Sequence, residues 1–138
     1  CVGVPTPLVI AAHVLGTPSA GEAFAVVLAG KDDSAHCTRF EAFGEVAGLP
    51  GASREIGLIR AADLASLNVR TLHADRFLPF PLRAAAGELG IRVIEPTFSA
   101  EACLSLAGCM PSIDAVELLP IYPREPDAVT LWRQRVVR

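Results

Sequence analysis

The stretch "AFAVVLAG", Ala23 to Gly30, constrains this chain most. It is apolar throughout, of strand length, and closed by Gly30 and the turn-forming "KDDS". An alternating strand can leave one face wet, whereas an unbroken apolar one is buried on both sides. Layers must therefore cover both faces of the sheet that contains it. "AHCTRFEAF", Ala35 to Phe43, follows the turn and alternates loosely, so the two runs predict a hairpin with Asp32 and Asp33 at its tip.

The covering layers are legible as helices with start and stop signals. "PTPLVIAAHVL" (Pro5 to Leu15) has proline at its start and Gly16 beyond its end. "PLRAAAGELG" (Pro81 to Gly90) repeats that pattern, and "SAEACLSLAG" (Ser99 to Gly108) opens on Ser99 as an N-cap. Between them, "GEVAGLPGASRE" reads as a loop and Ile56 to Ile59 as a short third strand. Ala61 to Leu67 reads as a turn of helix. Asn68 to Ala74 reads as a strand with Val69, Thr71 and His73 on one face, and "IRVIEP" as a strand stopped by Pro96. A strand meander followed by strand, helix, strand, helix predicts an α/β fold: a mixed sheet with helices on its faces, in the element order of a ribonuclease-H-like domain.

The chain ends differently. "ELLPIYPREPDAVTLW" contains the only Tyr, the only Trp and prolines at Pro120, Pro123 and Pro126. Each proline fixes its own torsion and restricts the residue before it, which predicts a stiff, extended arm. Tyr122 and Trp132 are its expected packing anchors, with Arg124 on another side and Asp127 capping a short final helix.

Composition narrows the functional classes. Half of the 138 residues are apolar and the net charge is −3, which gives no general attraction to nucleic acid or an anionic membrane. The opening "CVGVPTPLVI" carries no initiator Met, is interrupted by Pro5 and Pro7, and reads neither as a signal peptide nor as a membrane span. It suggests the continuation of a longer chain. Cys1, Cys37, Cys103 and Cys109 are scattered outside zinc-knuckle spacing and read as reduced thiols of a cytoplasmic protein.

No candidate active site stands out. His13 lies within an apolar helix, and His36 and Cys37, adjacent on a strand, should point to opposite faces. His73 and Asp75 share strand parity, but no nucleophile is identifiable beside them. "GLPGAS" (Gly48 to Ser53) is a weak phosphate-loop candidate, better read as connection. Arg133, Arg135 and Arg138 read as a solvated helix face.

The tail, Pro-x-Tyr-x-Arg followed by "PDAV", resembles the C-terminus of the TsaB (YeaZ) family, a subunit of the bacterial machinery that makes threonylcarbamoyladenosine on tRNA. "VGVPTPLVIAA" resembles that family's strand and helix where its first domain ends. "AFAVVLAGKDDSAHCTRF" resembles its following hairpin, and "IEPTFSAEACLSLAG" its late helix. Ala29-Gly30-Lys31, His73-Ala74-Asp75 and Pro123 depart from the usual family residues. The resemblance implies the second half of a two-domain protein with an actin-like ATPase fold. Residues 1–20 would then be the end of a first domain and a linker, 21–119 the second ribonuclease-H-like domain, and 120–138 the arm and short helix.

It further implies a non-catalytic scaffold that needs no cofactor or metal. That scaffold would partner a TsaD-like transferase and a TsaE-like ATPase, with a homodimer open and tRNA contact indirect. Pro120, Tyr122, Arg124, Pro126 and Trp132 would strap the two domains together. A fragment of this kind should expose an apolar patch on helix Pro5 to Leu15 and the arm. Half of an active ATPase or sugar kinase, and a free-standing ligand-binding domain, are the alternatives.

Overall fold

A computed structural model describes residues 1–15, 22–41, 53–117 and 132. Its centre is a five-stranded open sheet in the order β3-β2-β1-β4-β5. β1 (Phe24–Ala29) is the expected apolar strand, and it pairs antiparallel with β2 (Ala35–Phe40). β2 pairs antiparallel with β3 (Ser53–Ile59). On the other side, β1 pairs in parallel with β4 (Thr71–Ala74), and β4 with β5 (Arg92–Ile94). The chain is therefore α/β with a mixed open sheet.

β1 is buried on both faces, as its composition requires. Phe24 and Val26 face α1 (Thr6–Leu15), where they pack with Ile10, Ala11 and Phe40. Ala25 and Val27 face the opposite layer. There α2 (Phe80–Glu88) and a 3₁₀ segment (Ala61–Leu67) bring Leu82, Ala86, Leu64 and Leu67 against Cys37, Ile59 and Leu72. Each fully buried Val, Leu, Ile or Phe among them contributes roughly 1.5–3 kcal/mol. α3 (Ala100–Cys109) lies against α1, and its Ser99 cap forms as expected, with Oγ accepting the Ala102 N–H at 3.2 Å. After α3 the chain returns to its start, where Ile113 N–H donates to the Cys1 carbonyl at 2.8 Å.

Two expectations are corrected. Ser53 to Glu55 belong to β3 instead of the predicted loop. Gly57, with φ +89°, sits at an irregularity in the β2–β3 ladder, and on its far side Thr38, Arg39 and Phe40 still find partners in Glu55, Arg54 and Ser53. That irregularity hides the alternation from a pattern search. The predicted strand Asn68 to Ala74 begins only at Thr71, because Asn68 is left-handed (φ 49°) and ends the 3₁₀ segment. Val69 consequently joins the cluster under α2, while His73 faces the α1 side beside Val26.

Most other boundaries agree within a residue or two. Pro5 starts α1 by accepting the Leu8 N–H, and Gly90, left-handed at φ 68°, follows the end of α2. The predicted strand residues Ala42 and Phe43 lie outside the described residues, as does most of the arm.

The tip of the β1–β2 hairpin is tight. Ser34 N–H donates to the Lys31 carbonyl at 3.1 Å, and Gly30 N–H to the Ser34 carbonyl at 2.9 Å. A Cβ on Gly30 would stand 2.9 Å from that same oxygen, so the closure needs glycine there. Asp32 and Asp33 both take positive φ, 55° and 57°. Aspartate tolerates this conformation less well than glycine does. Asp33→Gly is therefore expected to raise stability by about 0.5–1 kcal/mol, read as a higher urea midpoint with an unchanged slope.

Candidate functional site

The carboxyl ends of the three parallel strands share one edge of the sheet, the usual position for ligands in open α/β sheets. The hairpin tip, the corner between β4 and α2, and the segment between β5 and α3 meet that edge. His13, His36, Cys37, His73 and Asp75 are the side chains the sequence singles out, and the structure separates them.

His73 is 8% exposed and faces α1. Its ring meets Phe24 edge-on, with centroids 5.4 Å apart. Burial lowers its pKa below 6.5, and the positive charge of a protonated His13 lowers it further. His73 is thus a neutral, packed histidine at physiological pH. Asp75 does not orient it: Asp75 has left the strand, and its Oδ1 accepts the Phe77 N–H at 2.9 Å.

The titration has a sign. A histidine whose folded pKa is depressed contributes full stability above its unfolded value, and that contribution is lost as pH falls. Stability should decline as pH drops from above 6.5 toward the depressed folded pKa. A His73→Phe variant should lack that part of the slope, measured by urea midpoints across pH 5–8.

His36 and Cys37 do point to opposite faces. Cys37 is buried in the cluster under α2, and desolvation pushes its thiol up to about 12, so it is inert as a nucleophile. His36 instead meets Glu55 across the β2–β3 ladder, Nε2 to Oε1 at 3.0 Å. Sequence reasoning missed this pair because Glu55 was placed in a loop. The ladder register alone brings them together. Glu55 is largely exposed, so the contact is a surface pair worth little to stability. Among the described residues no group of three or more His, Cys, Asp or Glu is placed to hold a metal ion.

What the edge does present is bare aromatic surface. Phe77 is 66% exposed and Phe80 80% exposed, both at the β4–α2 corner. The Arg76 guanidinium lies 5.0 Å over the Phe77 ring. Phe98, between β5 and α3, is also exposed. On α1, Val9, Ile10 and Ala11 are buried and Leu8, Val14 and Leu15 are half-buried, while most of the arm that was expected to share an apolar patch with this helix lies outside the described residues. Among the described residues the barest apolar side chains include the three phenylalanines, Leu104, Val116 and Trp132.

Of the expected arm residues, Pro120, Tyr122, Arg124 and Pro126 lie outside the described residues. Trp132 is described, and is 66% exposed. Gly48 to Ala52 and the three terminal arginines also lie outside them. No helix of the described residues is long and apolar enough to cross a membrane. Comparison with protein-family models, with curated proteins and with solved structures returns no match.

Proposed function

We propose that this chain is a TsaB-like, non-catalytic scaffold domain of ribonuclease-H-like fold, which acts by holding and activating a TsaD-like transferase in tRNA threonylcarbamoyladenosine synthesis. One observation carries the proposal. The sheet runs β3-β2-β1-β4-β5, with an antiparallel meander on one side of β1 and two parallel strands on the other. That is the arrangement the resemblance implies, and it is compatible with a ribonuclease-H-like domain.

The chemistry of the candidate residues supports a binding role over a catalytic one. His73 is neutral and packed, Cys37 is an inert thiol, and Asp75 is spent on its own backbone. The exposed apolar groups at this edge are aromatic rings, whose value is in contact area. A scaffold of this kind works by complementarity and needs no activated group.

The test is co-purification. The natural protein containing this chain, tagged and mixed at micromolar concentration with its own organism's TsaD-like transferase and TsaE-like ATPase, is expected to retain the transferase. Failure to retain it would remove the scaffold assignment. Hydrolysis of ATP by the chain without partners, abolished by mutating Gly48 and Gly51, would favour the kinase alternative instead.

A further inference from the structure

The corner between β4 and α2, "DRFLPFPLR" (Asp75 to Arg83), is built to stay rigid while showing its aromatic rings. Asp75 Oδ1 accepts the Phe77 N–H, and the Leu78 N–H donates to the Asp75 carbonyl at 3.2 Å. Leu78 is buried in the cluster under α2 and anchors the turn from beneath. Pro79 caps α2 in an extended conformation (φ −51°, ψ 139°), and Pro81 occupies the helix's first turn. Little entropy is left for a partner to remove. A large ring held largely in water by a stiff turn is what binding hot spots look like before they bind.

The charges beside the rings say what kind of partner fits. Arg76 lies over the Phe77 ring, and the Arg83 guanidinium donates to the Asp75 carbonyl at 3.3 Å. Both cations are therefore fastened to the corner. Its one carboxylate, Asp75, is turned onto its own backbone. The surface is thus apolar and cationic, on a chain whose net charge is −3. Two fixed cations on an acidic protein are too few to drive binding to nucleic acid or to an anionic membrane. They suffice to select carboxylates flanking an apolar contact.

We propose that the β4–α2 corner is a docking site for an acidic segment of a partner protein, one that lays a bulky apolar side chain against Phe77 and Phe80 and its carboxylates beside Arg76 and Arg83. This goes beyond the scaffold assignment and does not depend on which partner that assignment names.

The experiment uses a display library of short random peptides as the probe. It is selected on the full chain and counter-selected on a Phe77→Ser, Phe80→Ser double variant. Both rings are exposed, so the variant should keep the parent's melting temperature. The expected survivors carry Leu, Phe or Trp flanked by Asp or Glu. Synthesised, they should bind the parent and lose ~10-fold or more in affinity against the double variant and against Arg76→Glu, Arg83→Glu.

The proposal is overturned if nothing is enriched, if the survivors are basic or lack acids, or if either variant binds them undiminished. Light scattering and a titration with single-stranded RNA complete the test. A dimer abolished by the double serine variant would mean that a second copy covers the corner. RNA binding lost in the same variant would mean a nucleic-acid site. Because no transferase is involved, failure here leaves the co-purification result standing, and the reverse also holds.

Discussion

Phe40→Ala is expected to cost about 3–5 kcal/mol of folding stability. Phe40 is fully buried, stacks on Phe24 with ring centroids 5.3 Å apart, and fills the space between the sheet and α1 with Ile10, Ala11 and Val26. Phe24 and Phe40 are cross-strand partners fixed by the hairpin register, so the sheet side of the gap cannot close by strand movement. The loss is a large share of the roughly 5–15 kcal/mol that holds a typical domain together. A second readout follows from the same geometry. Phe24 also packs edge-on to His73, so loosening Phe24 admits water to the imidazole. The His73 pKa, depressed in the parent mainly by burial, should move back toward its ordinary value in the variant. Urea unfolding and an NMR titration measure the two effects. A loss below about 1 kcal/mol would show that the α1 layer is not packed as described.

Leu82→Ala tests the opposite layer, with an expected cost of about 2–5 kcal/mol. Leu82 is fully buried on α2, one turn before Ala86, and both sit over Leu72 and Ala74 of β4. α2 is the crossover that joins the parallel strands β4 and β5, so its loosening should show first as faster amide exchange in those strands. The two layers share only the sheet between them. The costs of Phe40→Ala and Leu82→Ala should therefore add within about 0.5 kcal/mol, which leaves the double variant unfolded or nearly so. A strongly non-additive pair would mean that the clusters are one core.

How far the sequence revealed this architecture differs from element to element. β1 is plain because its run is apolar on both faces, of strand length, and closed by turn residues, as a covered central strand requires. The helices were plain because proline, serine and glycine mark their ends. β3 was only half visible: Gly57 shifts the register, so the exposed Arg54 and Glu55 do not alternate cleanly with Leu58 and Ile59. The start of β4 is the least legible boundary, because Asn68, a residue that readily turns left-handed after a helix, is equally compatible with opening the apolar stretch that follows.

At the site, parity along a strand predicted that His36 and Cys37 would part, and they do. Parity failed for His73 and Asp75, because β4 ends at Ala74 and parity holds only within a strand. The His36–Glu55 contact needed a register between two strands, which is a tertiary fact. The bare rings at Phe77 and Phe80 were invisible for another reason. A phenylalanine beside proline and leucine reads as core, and only the orientation of the corner shows that Leu78 takes the buried place between them.

The scaffold assignment is tested most directly in the cell. The gene that encodes this chain would be depleted, and threonylcarbamoyladenosine measured by mass spectrometry of nucleosides from total tRNA. The account predicts that the modified nucleoside falls with the protein and returns when the gene is restored. A level that stays unchanged through full depletion would contradict it.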